Sequence, residues 1–481
     1  MADTFLHGVE VVNIDDGPRP IQVVATSIIG ICGTAPDADE ATFPLNTPVL
    51  ISGSKSTAAK LDMAGNGNGT LPDALDSILQ QAGAVVVVVR VEEGETDDAT
   101  LANVLGGVDA NTGNYNGIQG FLASGSVLGF APRILIAPGF THQRVTGGVT
   151  VINFTAGDGY TDGTYTLDVT NGEGDTTGTG AAATATIKGG KVTAAAVTNN
   201  GMNYKVAPVF ALPEAAGTPT TAATFTPAIG DAGNAVVANL LDIANRLRAV
   251  IVQDGANTTD AAVILQAGDF GSQRVYLVDP QVLKTSNVTG ALEQSYSSAI
   301  VAGLIAYNDN TNGYWVSPSN KVVNGVQGTF RAIDFVNGDP SSRANILNSK
   351  NVATIIRQNG YRLWGNRTLS SDSKWQFLCV VRTADIINDS LQAACLQFAD
   401  MGINKAFVTE VVESVNAFLR SQQTQGAILG GTCWCDPDQN SDEEIANGHV
   451  TFDFDFTPAF PAEHITMRSH LVNDYITSIF S

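Results

Sequence analysis

Positive charge is scarce in this chain of 481 residues: 25 Lys and Arg stand against 47 Asp and Glu, a formal net charge of −22. That balance argues against nucleic acid or an anionic membrane as a partner, because both select positive surfaces. Charge of either sign is sparse, 15% against about 25% in an average soluble domain. Much of the surface must then be Ser, Thr, Asn and Gln, and self-association is one way to cover it. No apolar run approaches the roughly 18–20 residues of a membrane span. The opening MADTFLHGVEVV carries neither a basic n-region nor an apolar h-region, so no secretion signal is expected. Cysteines are few and odd in number (Cys32, Cys379, Cys395, Cys433 and Cys435), which reads as reduced thiols rather than a disulfide framework.

Chemical motifs are also missing. Cys433 and Cys435 have no second pair nearby, and the five histidines (His7, His142, His449, His464, His470) show no ligand spacing. The stretch from Pro48 to Thr57 ends like a phosphate loop, but Lys55 follows Ser54 where the motif needs Gly. Gly65-Asn-Gly-Asn-Gly69 has the wrong spacing for a dinucleotide loop and reads as a turn. Asp453 and Asp455 alternate with phenylalanines, which places them on the solvent face of a half-buried strand. No catalytic, cofactor-binding or metal-binding residue is assigned, and an enzyme is not expected.

What the chain does have is 44% hydrophobic residues, enough for a large core. A short apolar stretch (Phe5, Leu6, Val9, Val11) precedes Asp15-Asp16-Gly17-Pro18, and it is either an edge strand or an arm onto a neighbour. Strands are expected at Ile21–Cys32, Pro48–Ser52, Val85–Val89 and Arg133–Pro138, with Thr70 capping a helix that runs to Ala82. The five consecutive valines fit a strand buried on both faces. Residues 143–231 have no Cys or Trp but 14 Gly and 19 Thr, in short alternating runs between glycine turns. This reads as a small all-β module. The α/β rhythm then resumes, with helices expected at Asn234–Leu247, Thr258–Ala267 and Ser295–Tyr307 and strands at Ala249–Val252 and Arg274–Asp279. A last region has a strand-like Trp375–Val381, helices near 384–400 and 404–422, and the alternation Val450–Phe456.

The fold class expected is mixed α/β and α+β, multidomain. A discontinuous α/β domain (19–142 and 232–345) carries the β module (143–231), which is most simply an insertion at an exposed loop. A C-terminal α+β domain (346–465) follows, and the segments 1–18 and 466–481 lie outside these units. Residues 321–382 form a basic island of charge +6 in a remainder of −28, including Arg357, Arg362, Arg367, Lys374 and Arg382. The island could pair with its own carboxylates or with the acidic surface of an identical neighbour.

Several stretches resemble the contractile tail sheath proteins of myophages. They are Phe5-Leu-His-Gly-Val-Glu-Val-Val12, Asp16-Gly-Pro-Arg-Pro20, Ile29-Gly-Ile-Cys-Gly-Thr-Ala-Pro36, the segment from Phe43 to Ile51, Ile134-Leu-Ile-Ala-Pro-Gly-Phe140 and Tyr314-Trp-Val-Ser-Pro-Ser-Asn320. The most specific is Asn351-Val-Ala-Thr-Ile-Ile-Arg-Gln-Asn-Gly-Tyr-Arg-Leu-Trp-Gly-Asn-Arg-Thr368, followed by the segment Trp375 to Asp385. The 143–231 module has no counterpart in the compact members of that family.

The resemblance implies a structural, non-enzymatic subunit without cofactors that polymerises around a tail tube and contracts to drive it through the host envelope for genome ejection. Its partners would be identical subunits in stacked rings, the tube protein, and baseplate and terminator proteins, in a virion tail assembled in the host cytoplasm. By the same resemblance, arms at the two termini (Phe5, Leu6, Val9, Val11; Leu471, Tyr475, Ile476) would pair with receiving strands of neighbours (Phe377, Cys379; Phe452, Phe454). The helix near 404–422, with Lys405, Glu410, Glu413 and Arg420, is the candidate tube contact, and the inserted module would decorate the outside. Alternatives are the sheath of a phage-tail-like bacteriocin or other contractile injection system, and a surface-layer-like assembly.

Overall fold

Consecutive valines can all be buried only where both faces of a strand are covered. The computed structural model, which describes residues 21–473, 475 and 479, is organised around such a strand, Val85–Val91. Val86 and Val88 join one apolar cluster and Val87 and Val89 another, on opposite faces. Each fully buried valine contributes about 1.5 kcal/mol or more to stability. The strand lies in an eight-stranded sheet of order Pro48–Ser52, Val85–Val91, Ile29–Thr34, Ile134–Ile136, Val250–Asp254, Val275–Val278, Val352–Arg357 and Tyr361–Trp364. The six inner strands run parallel and the two outer ones are antiparallel to their neighbours. The helices Leu71–Gln81 and Ser297–Asn312 cover one face, and Asp97–Leu105 and Ala235–Leu247 cover the other.

Several local expectations shift. The first strand starts at Ile29, not Ile21. Residues 21–28 instead run outside the sheet, held by the Val24 N–H on Ser390 Oγ (3.2 Å) and by Arg382 on the Thr26 carbonyl (2.9 Å). Thr70 precedes its helix without capping it; its Oγ1 accepts the Thr34 N–H at 3.2 Å. The turn at Gly65–Gly69 has positive φ at all three glycines, and a Cβ on Gly69 would meet the Thr34 carbonyl oxygen at 2.4 Å.

From Val145 to Ala232 the elements are strands, apart from one 3-10 turn at Glu214–Ala216. The first and last of them, Val145–Phe154 and Phe225–Ala232, pair antiparallel from Phe154↔Phe225 down to Val145↔Ala232. The stretch thus leaves and re-enters the chain through one two-stranded ribbon, and it has its own apolar cluster around Val149, Leu167, Ala185 and Phe210.

The expected strand at Trp375–Val381 is absent, which removes Phe377 and Cys379 as receiving positions. Ser373–Trp375 is a 3-10 turn, and Leu378–Cys395 is an α-helix entered at Phe377. A near-continuous apolar run cannot separate a buried strand from a buried helix by periodicity. Here Leu378, Cys379, Val380 and Val381 are all buried, and Ile387 and Leu391 continue the apolar surface along the helix. Burial pushes the Cys379 thiol up to about 11. The final alternation also slides: the strand is Asp453–Pro458, because Thr451 exchanges both backbone hydrogen bonds with the Asn440 side chain (2.7 and 2.9 Å). Asp455 is exposed there, whereas Asp453 is half-buried.

Among the described residues no helix is long and apolar enough to cross a membrane.

Candidate functional site

The C-terminal unit offers an incomplete sheet. Ile428–Trp434 and Asp453–Pro458 form a two-stranded antiparallel hairpin packed on the helix Lys405–Gln425 through Phe407, Val411, Val415, Phe418 and Leu419. A strand with one partner leaves alternate N–H and C=O groups facing outward. On the first strand those groups are partly used. The Cys433 N–H donates to Asn416 Oδ1 at 2.7 Å and its carbonyl accepts Asn416 Nδ2 at 3.0 Å, while the Leu429 carbonyl accepts Gln423 Nε2 at 3.0 Å. Helix side chains therefore block that edge.

The second strand differs. Phe454 lies opposite Cys433, whose backbone points away from the hairpin, so the pair is non-hydrogen-bonded and Phe454 also presents its N–H and C=O outward. Phe454 is in the strand, 37% exposed, and stacks near-parallel on Phe456 at 6.2 Å. Phe452 lies just before the strand and packs inward, 6.2 Å from Phe407. Among the described residues the edge of Asp453–Pro458 is thus the one left open to a further strand, and Asn416 and Gln423 decide this. Sequence reading passed over both, although Asn416 stands out as a polar residue on the sheet-facing side of an amphipathic helix.

The terminal segments fare unequally. Phe5, Leu6, Val9, Val11 and Ile476 lie outside the described residues. Beyond the hairpin the chain is tied down by Arg367, whose guanidinium pairs with the Glu463 carboxylate (2.8 Å from Nε) and lies 5.8 Å from the Phe377 ring centroid. Further on, Leu471 is fully exposed and Tyr475 is 78% exposed.

The basic island divides in two. Arg382 is buried, gripping both Asp309 carboxylate oxygens (2.6 and 2.5 Å). Burial pushes the Asp309 carboxyl up, against the pull of Arg382. Arg331 pairs with Asp279 and Asp260, and Arg343 with Asp260. These members, with Arg367, are satisfied internally. Arg357 and Lys374 are exposed and Arg362 is half-buried. Arg357 lies 5.9 Å from the Tyr361 ring, and Arg362 donates to the Gln358 and Asn320 carbonyls (2.9 and 2.8 Å). Among the described residues none of these three forms an ion pair. Asp385 and Asp389, on the same helix as Arg382, pair with Arg274 and with Arg133 and Arg248. The spacing 382, 385, 389 marks one helix face and was a usable signal.

On the helix Lys405–Gln425, the outer face carries Lys405, Glu410, Glu413 and Arg420, all exposed. Arg420 and Glu413 stand 3.8 Å apart at 63% and 67% exposure, an ion pair that contributes little to stability.

Three family profiles match this chain: the phage tail sheath C-terminal domain over residues 370–471, the phage tail sheath protein central domain over 222–369, and the tail sheath protein Gp18 domain III N-terminal region over 26–91. Residues 92–221 fall between them. A Pseudomonas aeruginosa protein named as a prophage major tail sheath protein is 34% identical over 476 residues, covering 99% of each chain. The tail sheath protein of Escherichia phage P2 is 29% identical over 482 residues, 99% of this chain and 98% of that one. The fold is also that of the contracted PVC sheath, an extracellular contractile injection system (TM-score 0.59, 14% identity, 98% and 99% of the two chains). The contracted helical sheath of the anti-feeding prophage is similar too (TM-score 0.59, 16% identity, 97% and 99%).

Proposed function

The chain belongs to the phage tail sheath family, and on that premise we propose how this contractile tail sheath subunit works. It is a structural, non-enzymatic protein that polymerises with identical copies around a tail tube and contracts to drive that tube through the host envelope for genome ejection. The discontinuous α/β body carries the inserted β module on the outside of the tail, and the C-terminal unit faces the tube through Lys405, Glu410, Glu413 and Arg420. The terminal segments 1–18 and 466–481 act as arms, adding a strand to a neighbour's sheet at the open edge around Phe454. Strand addition requires only main-chain hydrogen bonds and an apolar alternating segment, which 1–18 supplies. Covalently continuous arms keep subunits linked while their bodies rotate. Contraction then draws on interface area gained, with a kinetic barrier holding the extended form. Baseplate and terminator proteins bound the polymer, and assembly takes place in the host cytoplasm.

The observation that carries this reading is the near end-to-end match to sheath proteins of phage and prophage. Negative-stain microscopy of the purified chain tests it: tubes or stacked rings are expected, and discrete particles or flat sheets would reject it. Removing residues 1–16 should abolish ordered polymers while leaving the melting curve intact. A second reading, a sheath of a contractile injection system, is favoured by the fold shared with the PVC and anti-feeding prophage sheaths. Genome packaging by the parent particle separates the two.

A further inference from the structure

The strand order of the large sheet sets two opposite charges on one edge, at its two flanks. Val85–Val91, second from one side, runs at its C-terminal end into Glu92, Glu93, Glu95, Asp97 and Asp98, all exposed. Among the described residues none of these five carboxylates forms an ion pair. Val352–Arg357, second from the other side, also ends on that edge. Its C-terminal end enters the hairpin that holds Arg357 and Arg362, with Lys321 next to Val322, the residue bridged to Arg362.

Register fixes their heights. Followed through Ile29↔Val86, Ile29↔Ile134, Val250↔Ile134, Ile251↔Val275 and Leu277↔Val352, Glu93 and Arg357 stand within about one residue's rise of each other. Laterally, five strand spacings separate them in the sheet order, roughly 24 Å at about 4.8 Å per strand. That is beyond the screening length of about 8 Å, so one molecule cannot neutralise its own two flanks.

We propose that these flanks pair between copies: the Lys321, Arg357 and Arg362 surface of one subunit docks on the 92–98 loop of a second copy of this chain. The two patches are different and sit on opposite flanks, so the contact is heterologous. It does not close as a two-fold dimer but repeats into a ring or helix. The twist of the sheet rotates one flank relative to the other, which makes each step a rotation as well as a translation. Tyr361, half-buried, and Val322, 45% exposed, supply apolar contact beside the charges. The other acidic segment, Asp436 to Glu444, is less suited: Glu444 is engaged by His449 at 2.9 Å, and the segment belongs to the C-terminal unit rather than to this sheet edge.

The inference rests on the sheath reading, and two measurements keep them separable. In the first, light and isotope-heavy native chains are mixed and treated with a carbodiimide, which joins Lys directly to a carboxylate. Mixed-isotope links from Lys321 to Glu92, Glu93 or Glu95 are expected. Their absence overturns the pairing whether or not tubes form. In the second, the reversals Arg357→Glu with Arg362→Glu, and Glu92→Lys with Glu93→Lys and Glu95→Lys, are compared for the concentration at which assembly begins. Each set alone should raise it at least about tenfold, and both sets in one chain should restore it. Native assembly with unaffected variants, or rescue by reversing Asp442, Glu443 and Glu444 instead, rejects the pairing and leaves the sheath reading standing. A native chain that forms no polymers yet still gives the mixed-isotope links rejects the sheath reading alone.

Discussion

At the scale of single residues, stability is governed by buried charge whose partners are distant in sequence. Asp254 has no cation on it among the described residues; its carboxylate accepts the Ser298 N–H at 2.8 Å and the Ser298 hydroxyl at 2.5 Å, and burial pushes it up to about 6. A carboxyl raised in the folded state binds its proton more tightly there than in the unfolded chain. Its favourable contribution is therefore complete below the ordinary value of 3.8 and disappears as pH rises through about 6. Asp254→Asn should flatten melting temperature against pH between those limits and leave the variant more stable at neutral pH, by up to about 3 kcal/mol. Parallel curves for variant and native protein would contradict this. Arg382 is the converse case: Arg382→Ala strands Asp309 without its partner, at a cost of about 3–5 kcal/mol by denaturant melt. Combining it with Asp309→Asn should recover part of that loss. Both aspartates were visible in the sequence, but neither their burial nor their partners were. Only the spacing of Arg382, Asp385 and Asp389 along a helix hinted at a shared face.

At the scale of elements, the helix Lys405–Gln425 and the hairpin behind it act as one unit. Asn416→Ala leaves the Cys433 N–H and carbonyl without their partners and should cost about 1–3 kcal/mol. Phe454→Pro removes an outward N–H that no strand among the described residues uses. It should leave the melting temperature within a few degrees of native yet abolish ordered polymers by electron microscopy. Unaltered tubes from that variant would show that the edge receives nothing. Alternation of polar and apolar residues announced the last strand, but Asn440 holds Thr451 and delays its start. The element read only in part was Leu378–Cys395: a helix was expected from 384, but its first turn, where Leu378 to Val381 are all apolar and buried, reads equally well as a strand.

For the whole molecule, the ribbon joining Val145–Phe154 to Phe225–Ala232 makes the β stretch separable in principle. Excising 149–229 and joining the ribbon by a short Gly/Ser turn should preserve both the helical circular dichroism signal and polymer formation. Collapse of the α/β body on excision would mean that the stretch is part of its core. The sequence by itself determined the class of local structure over most of the chain: a strand of valines buried twice over, helices with one apolar face, and glycine-punctuated β runs. These follow from side-chain period and backbone preference, which act over a few residues. Tertiary structure alone decided which arginines are spent on internal carboxylates, which edge of the C-terminal hairpin stays open, and on which flanks the unspent charges lie. Those outcomes depend on groups brought together from far apart in the chain, and no local pattern encodes such distances.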